Sequence, residues 1–195
     1  MPSDFEFTLK AWQLITHEST SPTYRRLKKD LSAKEQKLVG GFRWTTVVKE
    51  AWATTLESAR ALNAKTVLFQ CPAKFGPTEV NIRRMTKFFS AVKREGLNLA
   101  WEPRGPEWNI ETVGGICREL DLWHALDPFT QQSTTPTKCY FRMHGRVRWR
   151  YMYDLSELEE LATLLPENGH AYVYFNNISM IDDAISFQRI VDVTT

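Results

Sequence analysis

The chain has 195 residues, 43% of them hydrophobic and 25% charged, with a net charge of +2. That length suits one domain around one core, and that composition excludes a wholly disordered tail or a fibrous repeat. A charge so near balance, with a pI near 8.4, excludes nucleic-acid binding argued from bulk charge, so any cationic function has to come from local clustering.

Strand-like and helix-like periods alternate along the chain. Phe5–Lys10 is a period-two strand with Phe5, Phe7 and Leu9 on one face. Residues 45–62 repeat Val48, Ala51, Trp52, Ala59 and Leu62 at helical spacing. Thr66–Gln70 reads as a short apolar strand stopped by Pro72, and 79–94 as a helix capped by Gly96. Leu97–Glu102 is a strand, 109–120 a helix, and Leu122–Asp127 another strand; 128–138, rich in Gln, Ser, Thr and Pro, is an irregular loop. Cys139–His144 is a strand, 155–165 a helix, Ala171–Asn176 a strand and 179–191 a closing helix. The fold class predicted is α/β, with six parallel strands covered by helices. Periodicity fits both a TIM-type (β/α) barrel lacking two of its usual eight units and a doubly wound open sheet.

Cys71, Cys117 and Cys139 are too widely spaced for a zinc site or a disulfide framework, and read as reduced, packed thiols. Met1-Pro2-Ser3-Asp4 leads directly into the first strand, without a signal peptide, and no apolar run approaches the ~20 residues a membrane span needs. The reading is a cytoplasmic protein with no membrane partner.

In both architectures the active site lies outside the carboxyl ends of the parallel strands. Those ends carry, in order, Lys10, Gln70, Glu102 with Arg104, Asp127, Arg142 with His144 and Arg146, and Asn176 with Asn177; His17 lies just beyond the first strand. Polar residues are common at strand ends, but six in succession, several of them cationic, point to a site. Alternation places Tyr140, Arg142 and His144 on one face of their strand. An Arg in a buried strand needs a partner, either an ion pair with Glu102 or Asp127 or a bound anion.

Glu102 and His144 are therefore the catalytic candidates, as general acid or base. Lys10, His17, Gln70, Arg104, Asp127, Arg142, Asn176 and Asn177 are the candidates for substrate binding. A metal held by Glu102, Asp127 and His144 lacks any supporting ligand spacing, and no G-x-G-x-x-G cofactor motif is present, so hydrolase or lyase chemistry fits better than redox. Arg146–Tyr153 interleaves cations with aromatics, as nucleic-acid surfaces do, and as solvated loops with rim-packed aromatics also do. The basic run Tyr24–Lys29 reads as an exposed helix face.

The stretches FEFTLKAWQLITH (5–17), VLFQCPAKF (67–75), LAWEPRGPEW (99–108), YFRMHGR (140–146) and YVYFNN (172–177) resemble, in order, the YecE-like family, also called domain of unknown function 72. The resemblance covers nearly the whole chain. It implies a TIM-type barrel with a shared polar mouth of Lys10, His17, Gln70, Glu102, Arg104, Arg142, His144, Asn176 and Asn177, and it implies no activity, because the family's role is unassigned. Family members usually begin with a G-x-S-G-W type strand and a second strand ending near Phe-Tyr. Neither is present, and Met1–Asp4 corresponds to the turn before the family's third strand. Either two βα units are lost or Met1 is internal to a longer reading frame.

The function expected is that of an enzyme for a small anionic or sugar-like substrate. The alternatives are a nucleic-acid-binding module and a degenerate, inactive family member. A barrel without two strands is also expected to self-associate, or to fold loosely, at Phe5–Lys10 and Ala171–Asn176.

Overall fold

The computed structural model describes residues 5–28 and 30–194, without the side chain of Thr194; Met1–Asp4, and Lys29 of the basic run, lie outside the described residues. Residues through Leu122 form one compact unit and those from Trp123 a second.

In the amino-terminal unit, β1 (Thr8–Lys10), β2 (Thr66–Gln70) and β3 (Asn98–Glu102) are parallel, with Thr8 in register with Thr66 and Thr66 with Asn98. The connections carry α1 (Gln13–Thr16), a 3₁₀ turn (Pro22–Arg26), α2 (Ala33–Gln36), α3 (Thr46–Ala61) and α4 (Glu79–Ala91); α5 (Ile110–Glu119) follows β3. The longer helices start where a side chain satisfies an orphan amide: Thr45 accepts from Val48 N, Thr78 from Asn81 N and Asn109 from Thr112 N. Val48, Ala51, Trp52, Leu56 and Ala59 form the buried stripe of α3. All but Ala59 join Val67 and Phe69 of β2, Leu99 and Trp101 of β3, and Met85, Phe88 and Phe89 of α4 in one core. Phe42 lies at the centre of an aromatic group, with ring centroids 5.3–6.2 Å from those of Phe69, Phe75, Phe88 and Phe89.

The carboxy-terminal unit has β4 (Trp123–Leu126), β5 (Lys138–Met143) and β6 (His170–Phe175), again parallel, with α6 (Leu155–Thr163) and α7 (Met180–Thr194). Phe141, Met143 and Phe175 pack with Leu158, Leu161 and Phe187. Asp154 opens α6 with a reciprocal capping box to Glu157.

Several boundaries differ from the predicted ones by one to three residues, and two of the shifts have a local cause. The first strand starts at Thr8 because β2 begins at Thr66, its register partner, so the apolar alternation at Phe5 and Phe7 precedes the ladder. Gly96 is not the cap of α4: the helix stops at Ala91, Val92 is extended, and Glu95 (φ 53°) and Gly96 (φ 81°) make the turn into β3.

Candidate functional site

Alternation sorts the strand residues of the amino-terminal unit. Leu9, Val67, Phe69, Leu99 and Trp101 belong to the helix-covered core, which leaves Lys10, Gln70 and Glu102 on the opposite face at the strand ends. They form a continuous chain of contacts. Lys10 Nζ donates to Gln70 Oε1 at 2.6 Å. Gln70 Nε2 lies 3.0 Å from both oxygens of Glu102. Arg104 Nε donates to Glu102 Oε1 at 2.8 Å. The Glu102 side chain is 8% exposed and that of Arg104 41%. A carboxylate this deep is tolerable because amide and guanidinium donors satisfy it, and the half-exposed guanidinium keeps a face toward solvent.

His17 sits beside this chain. It is buried, its Nδ1 lies 2.7 Å from Thr16 Oγ1, and Tyr24 Oη donates to its carbonyl at 2.8 Å. Burial, then the charges of Lys10 and Arg104, lower its pKa to about 4. At neutral pH it is therefore a neutral hydrogen-bonding group, and the positive charge of the site comes from Lys10 and Arg104. Its position depends on a clamp: Gly40 N, Gly41 N and Phe42 N bond to the carbonyls of Leu14, Thr16 and Ile15. Gly40 has φ +75°, and a Cβ there would stand 2.3 Å from the His17 carbonyl oxygen, so glycine is required.

Lys10 and His17 also line a cavity of about 470 Å³ together with Trp12, Arg26 and residues of α3. Sequence reasoning missed Arg26 because it was subsumed in a basic run. It missed Thr54, Thr55 and Ser58 because hydroxyls beside an apolar helix stripe look like an ordinary solvated face.

In the carboxy-terminal unit, Tyr140 and Arg142 lie opposite Cys139, Phe141 and Met143, as alternation predicts, and are in register with Tyr172 and Tyr174. Tyr140, Tyr172 and Tyr174 form an aromatic row with Trp123, with neighbouring ring centroids 5.1–6.0 Å apart. Asp127 accepts from Phe129 N at 3.1 Å and from His144 N at 3.4 Å, so it organises backbone after its strand. Asn176 is exposed and its backbone continues the ladder to Met143. Asn177 is buried and donates to the Tyr151 carbonyl and to Asp183, which also accepts from Tyr153 N.

The structure thus brings together Lys10, Gln70, Glu102 and Arg104, with His17 beside them, and separately links Asp127 with the backbone amide of His144 and Asn177 with Asp183. In the interleaved loop, Arg146 and Tyr151 are committed, and Arg148, Trp149 and Arg150 are exposed. Arg146 bonds Glu157 and Glu160 and lies 3.8 Å over the Phe129 ring, and Tyr151 Oη donates to Glu157. Trp149 remains 57% exposed. Among the described residues no group of three or more His, Cys, Asp or Glu side chains is arranged to hold a metal ion. No described helix is long and apolar enough to cross a membrane.

Solved structures share this fold. A DUF72 family protein from Enterococcus faecalis V583, crystallised at 2.52 Å, is 22% identical, with a TM-score of 0.66 over 98% of this chain and 80% of that one. A DUF72 family protein from Thermotoga maritima MSB8, solved at 2.20 Å, is 23% identical, with a TM-score of 0.63 over 99% of this chain and 75% of that one. At such identities the likeness shows the fold alone, an incomplete α/β barrel of the TIM type with six strands among the described residues. No curated protein matches the chain significantly. The model of the family described as "Protein of unknown function DUF72" matches residues 1–193, and the chain belongs to that family.

Proposed function

We propose that the chain is an enzyme acting on a small anionic or sugar-like substrate at the carboxyl ends of its strands. One observation carries the reading: Lys10, Gln70, Glu102 and Arg104 form an unbroken polar chain across three strand ends, with two cations to one carboxylate. The arrangement suits an anion held by Lys10 and Arg104 next to a fixed carboxylate that exchanges a proton with it. The neutral His17 beside them offers a hydrogen bond without adding charge. The reading rests on the amino-terminal unit alone.

Crystals soaked with phosphate, sulfate and sugar phosphates test it. The expected result is a ligand in contact with Arg104 or Lys10. Well-occupied ligands elsewhere, with none at these strand ends, would sink the proposal. The interleaved loop gives less support to a nucleic-acid module, since Arg146 is engaged by two glutamates.

A further inference from the structure

One surface of the carboxy-terminal unit is apolar where solvent meets it. Val147, Trp149, Met152, Ile178, Met180 and Ile181 are each at least half exposed. They lie on two segments that the backbone ties together: Ile178 N donates to the Trp149 carbonyl at 2.7 Å, and Asn177 Nδ2 to the Tyr151 carbonyl at 2.8 Å. Single exposed apolar residues are ordinary, but contiguous patches above roughly a few hundred Å² are rare on monomers and mark contact surfaces. Six large side chains together reach roughly that size.

The loop that carries half of them is held in place. Tyr151 Oη donates to Glu157 at 2.6 Å, Tyr151 N to the Arg148 carbonyl at 2.9 Å, and Gly145 N to the Tyr153 hydroxyl at 2.8 Å. Gly145 has φ +86°, and a Cβ there would collide with the Arg148 carbonyl and the Tyr151 side chain. The backbone is thus fixed while Trp149 and Met152 stay exposed, so little ordering remains to be done when they are covered. Trp, Met and Arg are also the residue types enriched in protein–protein contacts.

Charge divides the patch in two. Arg148 and Arg150 stand on the loop and Asp182 on the first turn of α7, all three exposed. Arg150 lies 5.0 Å over the Trp149 ring, and none of the three has an ion-pair partner among the described residues. A nucleic acid or an anionic lipid surface would be drawn to the loop and repelled by Asp182. A second copy turned about a two-fold axis instead sets the cationic loop of each chain against the acidic first turn of the other.

We propose that this patch is a two-fold dimer interface, with Trp149 and its apolar neighbours packed against the second copy and Arg148 and Arg150 paired with that copy's acidic turn. The proposal goes beyond the enzyme reading and does not depend on it. It also uses a surface other than the strand segments Phe5–Lys10 and Ala171–Asn176.

Sedimentation velocity on the full chain, over a hundredfold range of concentration and at low and high salt, provides the test. A monomer–dimer equilibrium that salt weakens is expected. Trp149→Ala, at an exposed position, should weaken dimerisation tenfold or more and leave the urea unfolding midpoint unchanged. Arg148→Asp combined with Arg150→Asp makes the patch acidic throughout, and Asp182→Arg makes it basic throughout. Each variant alone should dimerise less tightly than the unaltered chain, and native mass spectrometry of the two mixed should show heterodimers in preference to either homodimer. Heterodimers no commoner than homodimers would overturn the two-fold charge pairing. Dimerisation indifferent to Trp149→Ala would place the contact on another surface and overturn the interface. A chain that stays monomeric throughout the range overturns it too, and Trp149-dependent binding of phosphatidylserine vesicles or single-stranded DNA would then assign the patch to that partner. All of these results leave the strand-end reading to the ligand soaks.

Discussion

The two units end their strands in polar residues of similar kinds and use them differently. In the amino-terminal unit, Lys10, Gln70, Glu102 and Arg104 bond side chain to side chain, and a cavity adjoins them. In the carboxy-terminal unit, the buried Asn177 donates its amide to Asp183 and to the Tyr151 carbonyl, and Asp183 also accepts from Tyr153 N. The first arrangement holds charge where a ligand can meet it. The second ties a loop to the start of a helix. A polar residue at a strand end is thus evidence of a site only when its partners are other side chains with an open face, and evidence of a latch when the backbone consumes it.

Acid should have the largest effect on both units, through one histidine in each. His17 and His124 are both buried, and both have a pKa lowered to about 4. In the unfolded chain each would titrate near 6.5. Between these values the unfolded state binds the proton and the folded state does not, so stability is complete above about pH 6.5 and is lost as the pH falls toward 4. The loss is roughly 1.4 kcal/mol per pH unit for each histidine. The causes differ, and that sharpens the comparison. His124 is held neutral by burial alone, whereas Lys10 and Arg104 add to burial at His17. Histidine titrations followed by NMR should therefore show the pKa of His17 rising with added salt, or in Arg104→Gln, and that of His124 staying put. Equal responses would mean that the charges beside His17 do not act on it.

Asp183→Ala should come next. Asp183 is 6% exposed and accepts from Asn177 Nδ2 and Tyr153 N. Truncation leaves Tyr153 N and one of the two Asn177 amide protons without acceptors, since the other still reaches the Tyr151 carbonyl, which costs about 2 kcal/mol in urea unfolding. Anion binding in the amino-terminal unit should be unchanged. A variant that keeps its stability but loses anion binding would break the division between latch and site.

Gly40→Ala is expected to cost about 2 kcal/mol, because φ of +75° and the approach to the His17 carbonyl both oppose a Cβ. Here the damage should reach the site. The clamp that holds Leu14–Thr16 also places His17, so the NMR pKa of His17 should move back toward 6.5 in folded Gly40→Ala.

Much of this was legible in the sequence because period and polarity are local signals. The six strands, the long helices and the face carrying Tyr140 and Arg142 follow from alternation and helical spacing alone. Lys10, Gln70, Glu102 and Arg104 were recognisable because the strand-end rule says where to look. The share of Arg26 in a cavity was not legible, since it depends on a 3₁₀ turn, Pro22–Arg26, tied back through Tyr24 to the His17 carbonyl. Nor was the fate of Asn177. A strand-end asparagine gives no sign that Asp183, six residues on, will consume its amide.

The smallest effect on stability is expected where the proposed chemistry is concentrated. Glu102→Gln is nearly isosteric and keeps one carbonyl oxygen for Arg104 or Gln70, and the ion pair it removes has a half-exposed partner. Stability should fall by about 1 kcal/mol, since one oxygen remains as an acceptor and the half-exposed Arg104 can turn to water. Anion binding should move in the opposite direction to the one truncation of a site usually produces. Removing the carboxylate leaves Lys10 and Arg104 uncompensated by it, so sulfate should bind more tightly, by roughly fivefold for about 1 kcal/mol of relieved repulsion near a protein surface. A purely structural Glu102 would instead show reduced stability with unchanged or weaker sulfate binding, because disorder in the chain from Lys10 to Arg104 would spoil the cationic pair. Sulfate titration and urea unfolding of the same variant separate the two cases: tighter binding with stability nearly intact places a working carboxylate among the cations, and the reverse makes the strand ends of the amino-terminal unit a latch like those of the other.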